Sequence, residues 1–74
     1  MSKEHREILE KILKYRKFKL KDNYFRKGSW LDCDLIEVTK NMYGLLIIFK
    51  VDEFTGCIYL NHIKKENIIV KDWL

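Results

Sequence analysis

From Lys3 to Arg16 the apolar positions recur at helical spacing. At 100° per residue, Tyr15, Ile8, Ile12, Leu9 and Leu13 fall within an arc of about 160°, and charged residues fill the other side. Ser2 stands where an N-cap belongs. Lys3–Glu7, Glu7–Lys11 and Glu10–Lys14 are i,i+4 pairs that support the same helix. His5 lies inside the apolar arc, where a ring packed with one edge exposed is expected. The spacing predicts an amphipathic helix over 3–16 that must bury its apolar face against a sheet.

At residue 17 the period changes to two. Lys17-Phe18-Lys19-Leu20-Lys21 alternates strictly, so Phe18 and Leu20 are expected to face inward and the three lysines outward. Asp22-Asn23 and Lys27-Gly28-Ser29 carry turn signals. Trp30 to Thr39 reads as a long strand whose phase breaks at Leu35-Ile36, which a bulge would reconcile. After a turn at Lys40–Gly44, the nearly continuous apolar run Leu45 to Val51 is expected to form a central strand covered on both faces. Asp52 to Gly56 reads as a five-residue hairpin loop ending in a left-handed glycine. Cys57 to Asn61 is the next strand, His62 to Asn67 a polar turn with 3₁₀ character, and Ile68-Ile69-Val70 the last strand. Trp73 and Leu74 end the chain with two large apolar groups.

The pattern therefore predicts an α+β chain of a single domain, 1–74, with helix 3–16 followed by a bent five-stranded antiparallel sheet over 17–74. An SH3-like barrel is favoured, with a helix lying across an open antiparallel sheet as the other candidate. Ile58-Tyr59-Leu60-Asn61-His62-Ile63, set in this layout, is similar to the Tyr-Lys-His-Ala-Ile stretch of the bacterial Sm-like RNA-binding proteins, and Arg26-Lys27-Gly28 sits roughly where those proteins have Asn-Gly. The chain departs from them by an extra residue, by the lack of a lysine before the histidine and by acidic residues that do not align. The resemblance implies an architecture, and an architecture does not fix a function.

The chain has 74 residues and a formal net charge of +4. A domain this small buries only about 60% of its unfolded surface, which favours homo-oligomerisation, and Trp73 and Leu74 are the expected interface. No apolar run approaches the roughly 20 residues of a membrane span, and no signal peptide is visible, so a cytoplasmic protein with no membrane partner is expected. Alanine, proline and glutamine are absent. The residues that AT-rich codons spell are abundant, which points to an AT-rich genome, whether of a bacterium, a phage or an archaeal virus. Cys33 and Cys57 lie among apolar residues and read as two buried thiols, with a cross-strand disulfide as the alternative.

Charge is unevenly spread. Residues 3–27 hold ten basic and four acidic side chains, while residues 28–74 hold five and seven. Lys14, Arg16, Lys17, Lys19, Lys21, Arg26 and Lys27 form a basic stretch interleaved with Tyr15, Tyr24, Phe25 and Trp30. Basic groups neutralise phosphates and aromatic rings stack on bases, so Lys14, Arg16, Lys17, Lys19, Lys21, Tyr24, Arg26, Lys27 and Trp30 are the candidate binding residues. A lysine-guarded edge strand accounts for the same row without any partner. Asp32, Asp34 and Glu37 read as a solvated strand face. No nucleophile–base pair, metal-ligand spacing or phosphate loop stands out, so no enzyme, cofactor or metal is expected. The sequence reads best as a non-catalytic nucleic-acid-binding module. The alternative is a phage- or virus-encoded regulator that binds an acidic surface of a host protein.

Overall fold

A computed structural model describes residues 1–22 and 28–70. The helix α1 spans Lys3–Tyr15. Its start is fixed as the sequence requires: the Ser2 hydroxyl accepts a hydrogen bond from the His5 N–H at 3.1 Å. Its end is set by Arg16, which adopts φ 60° and donates its N–H to the Ile12 carbonyl at 2.8 Å. The Arg16 carbonyl then accepts the Leu35 N–H at 2.8 Å, which ties the helix exit to the sheet. Ile8 and Ile12 are fully buried, and Leu9 and Tyr15 pack against the core from its margin. Leu13 lies 48% exposed, so the apolar face that the fold uses is narrower than the arc in the sequence. Among the described residues α1 rests chiefly on the strand that follows it, the last strand and a 3₁₀ turn, a small contact surface.

Five strands form one antiparallel sheet: β1 Lys17–Lys21, β2 Trp30–Asn41, β3 Gly44–Val51, β4 Phe54–Tyr59 and β5 Ile68–Val70. Two 3₁₀ turns, Leu60–His62 and Lys65–Asn67, join β4 to β5. The strand order is β4-β3-β2-β1-β5. The chain is thus α+β, and the sheet is open, with β4 and β5 as its two edges. β1 is an interior strand between β2 and β5, so its lysines do not guard an edge.

Phe18 and Leu20 are buried and Lys17, Lys19 and Lys21 exposed, as the alternation requires. The register of β2 against β3 shifts between Leu35 and Glu37, which is the bulge that the phase break calls for. β3 is apolar almost throughout, yet only Ile47 and Phe49 are buried, because they point into the core while the residues of the other face stay half open.

The β3–β4 connection is tighter than the sequence suggests. It is a two-residue turn, Asp52-Glu53, with Asp52 at φ 55° supplying the left-handed position. Gly56 lies inside β4 for a different reason. A Cβ there would stand 2.8 Å from Phe49 Cε2, so the glycine makes room for that ring. Phe49 in turn packs edge-on against Phe18, with ring centroids 5.8 Å apart. Both cysteines are free thiols: Cys33 is buried, but Cys57 is exposed on the outer face of β4, contrary to its expected burial.

Candidate functional site

Among the basic residues expected to bind, Lys14, Arg16, Lys17, Lys19 and Lys21 are all exposed along the end of α1 and β1. Trp30 is exposed across from Lys21 in the β1–β2 register. Tyr24, Arg26 and Lys27, and the expected interface residues Trp73 and Leu74, lie outside the described residues. Tyr15 turns inward against the core, and the Lys14 ammonium sits 5.3 Å from its ring centroid.

The antiparallel register changes the meaning of the lysine row. Lys17 is paired with Asp34 and Lys19 with Asp32, and each ammonium lies 3.7 Å from a carboxylate oxygen. Asp34 also stands opposite Lys50 on β3. Across β1, β2 and β3 the outer face of the sheet therefore alternates in sign. The exposed pairs are individually weak, on the order of 0.5 kcal/mol, but the aspartates cancel much of the positive field that the sequence concentrates there.

A second surface, which the linear pattern does not mark, lies at the other end of β2. It is seven residues beyond Asp34, roughly 20 Å at the usual rise per residue. There the β2–β3 turn meets the first 3₁₀ turn. Asn41 organises it: its Oδ1 accepts the Tyr43 N–H at 2.8 Å and its Nδ2 donates to the Tyr59 hydroxyl at 2.9 Å. The Tyr43 and Tyr59 rings meet edge-on at 6.3 Å, and Tyr59 and His62 meet likewise at 5.9 Å. Tyr43 is 70% exposed. A cavity of about 370 Å³ belongs to the lysine–aspartate face, whereas one of about 310 Å³ lies at this end, lined by His5, Lys40, Gly44, Leu45, Leu60 and Asn61 among others but by none of the three rings. His5 is half-buried, with Nε2 3.1 Å from the Ile63 carbonyl oxygen; that oxygen can only accept, so Nε2 carries the proton. Neither the turn Lys40–Gly44 nor the segment Leu60–His62 contains a carboxylate. The signal available in the sequence was the recurrence of Tyr, Asn and His in two separated turns. Only the β3–β4 register, which places Leu46 opposite Tyr59, brings those turns together.

The buried thiol of Cys33 is held in its neutral form. Burial, with a further contribution from Asp32 and Asp34, outweighs a hydrogen bond from the Leu20 backbone and pushes the Cys33 thiol up to about 12. Among the described residues no three His, Cys, Asp or Glu side chains gather as metal ligands, and no helix is long and apolar enough to cross a membrane. No protein family, curated protein or solved structure matches the chain.

Proposed function

We propose that this chain is a non-catalytic module that binds single-stranded nucleic acid at the Tyr43–Tyr59–His62 end. The observation that carries this reading is an aromatic cluster, with Tyr43 and His62 exposed and Tyr59 half-buried between them, held in place by Asn41 and free of carboxylates in its own two turns. Unpaired bases stack on such rings at about 1–3 kcal/mol each, and amide groups such as Asn61 and Asn41 suit the hydrogen-bonding edges of bases. Lys40 at the same end, and Lys14 and Arg16 at the far end of the sheet, supply phosphate contacts. The sheet itself we read as an SH3-like barrel opened along the seam between β4 and β5, a reading supported by the strand order and the β2 bulge.

The test is titration of short fluorescent single-stranded RNA and DNA oligonucleotides. Tyr43→Ala, at an exposed turn position, is expected to leave the fold intact and weaken binding about tenfold or more. Reversal of Lys17 and Lys19 is expected to matter less, because both already face carboxylates. Unchanged affinity in Tyr43→Ala refutes the site, and no binding by the native chain at low salt refutes the function.

A second reading, a regulator that binds a host protein, is favoured by one observation: the sign-alternating Lys17–Asp34 and Lys19–Asp32 face, which suits a protein surface better than a polyphosphate. Capture of one partner from lysate with and without nuclease separates the two, since only a protein complex survives nuclease.

A further inference from the structure

The two edges of the sheet are not alike. β5 is three residues long, whereas β4 presents six, Phe54 to Tyr59, with no charge and no proline among them. Such an edge lacks the devices that keep exposed strands from pairing, namely lysines, prolines and inward charges. Beside it opens a cavity of about 680 Å³ whose walls are mostly apolar, formed by Leu20, Leu31, Phe49, Val51, Phe54 and Ile58 among others. Phe54, at the start of the strand, is 77% exposed.

We propose that β4 pairs with β4 of a second copy of this chain, antiparallel across a two-fold axis, so that the sheets of the two copies become continuous. The occupant follows from complementarity. A two-fold edge sets the strand against itself, so any charged residue near the axis would meet its own like charge. β4 carries none, and on the groove side it brings two apolar groups, Phe54 and Ile58, with Gly56 between them. The pleat narrows the register. Phe54, Gly56 and Ile58 share one face of β4, and Thr55, Cys57 and Tyr59 the other, and directly paired residues of a continuous sheet share a face. Gly56 then lies on the axis opposite its own copy, Phe54 faces the partner's Ile58, and Thr55 faces the partner's Cys57. This register covers the exposed Phe54 with a β-branched neighbour, a favoured cross-strand pair, and sets two such pairs over the mouth of the groove. The inference does not depend on the nucleic-acid reading, and its test contains no nucleic acid.

Sedimentation equilibrium of the native chain at micromolar concentrations is expected to give twice the 9.1 kDa chain mass. Phe54→Asp is expected to give the single-chain mass with an unchanged far-UV circular dichroism spectrum. Thr55→Cys, oxidised by glutathione disulfide, is expected to give a reducible two-chain band through pairing with the partner's native Cys57, at a Cα separation that a disulfide accepts. The same treatment of the native chain is expected to leave it largely uncrosslinked. A native chain that stays at the single-chain mass, or assembles into three or more copies, overturns the proposal. So does a Phe54→Asp variant of two-chain mass. If Phe54→Asp fails to fold, the cross-link decides: no enrichment of the two-chain band in Thr55→Cys over the native chain overturns the pairing.

Discussion

Replacing Gly56 with alanine adds one methyl group at a place where the packing leaves no room. The new Cβ would stand 2.8 Å from Phe49 Cε2 and 3.0 Å from Cζ, against the 3.4–4 Å of ordinary contact. The ring therefore has to retreat by several tenths of an ångström. It is 7% exposed and lies edge-on against Phe18, itself 3% exposed, so the retreat displaces a second buried ring. Overpacking of this kind costs about 1–3 kcal/mol. Against it stands the gain from removing a glycine from a strand, about 0.4–1 kcal/mol through the unfolded state. The net expectation is a destabilisation of roughly 0.5–2 kcal/mol. In a domain of this size that lowers Tm by about 3–15 °C. Thermal unfolding followed by near-UV circular dichroism, where Phe and Tyr packing is visible, measures it directly. Phe49→Leu supplies the control: it removes the ring tip, so Gly56→Ala should cost markedly less in the Phe49→Leu background than in the native one. A Gly56→Ala variant as stable as the native chain, or a cost unchanged by Phe49→Leu, refutes the reasoning.

The thiols offer a pH test. The fold holds the Cys33 proton up to about pH 12, whereas the unfolded chain releases it near the ordinary value of 9.0. The stability this group contributes is therefore complete below pH 9 and falls as pH rises from 9 toward 12. Urea midpoints of the native chain should drop more steeply than those of Cys33→Ala across that interval, and equal slopes would count against burial as the cause. At about pH 8 a thiol reagent should label one cysteine, Cys57, in the native state, and both only in denaturant. Reversing Lys17, Lys19 and Lys21 to Glu sets like charges against Asp34 and Asp32, so a loss of about 1–2 kcal/mol is expected from two broken and two repulsive exposed pairs. A denaturation midpoint unmoved by that triple change would show that the pairs are not made in solution.

Most of the fold was legible because its signals are local. The Ser2 cap, the 3.6-residue period of α1, the strict alternation of β1 and the phase break in β2 each depend on neighbours within one element, and each appears where the pattern puts it. Three expectations failed for one shared reason, that a residue's role was decided by an element distant in sequence. Gly56 reads as a turn glycine because it follows Asp52-Glu53-Phe54-Thr55; its actual constraint is the Phe49 ring on the neighbouring strand. Leu13 shares the apolar arc of α1, but it is left 48% exposed, because what covers a helix face is set by the elements packed on it. Cys57 has apolar neighbours in sequence, yet β4 lies at the edge and turns that side chain outward.

The proposed binding surface shows the same limit more sharply. Counting charge along the chain assigns a strongly positive field to residues 3–27 and a weakly negative one to the rest. Antiparallel pairing superposes those two segments, and the register Lys17–Asp34, Lys19–Asp32 is what turns a cationic row into an alternating face. Nothing local marks that register, because Asp32 and Asp34 are ordinary solvated residues until β1 lies beside them. Conversely, Tyr43 and His62 lie in separate turns nineteen positions apart until the β3–β4 ladder sets Tyr59 between them. Field strength depends on distance in space, so a sequence tally of charge is informative only where the partner strand is neutral. On this sheet that holds at Lys21, whose neighbour across the ladder is Trp30. On the proposed reading, a nucleic acid that needs both stacking and phosphate neutralisation should therefore gain more from the Tyr43 end, where Lys40 stands at the same end of β2, than from the row that dominates the linear charge.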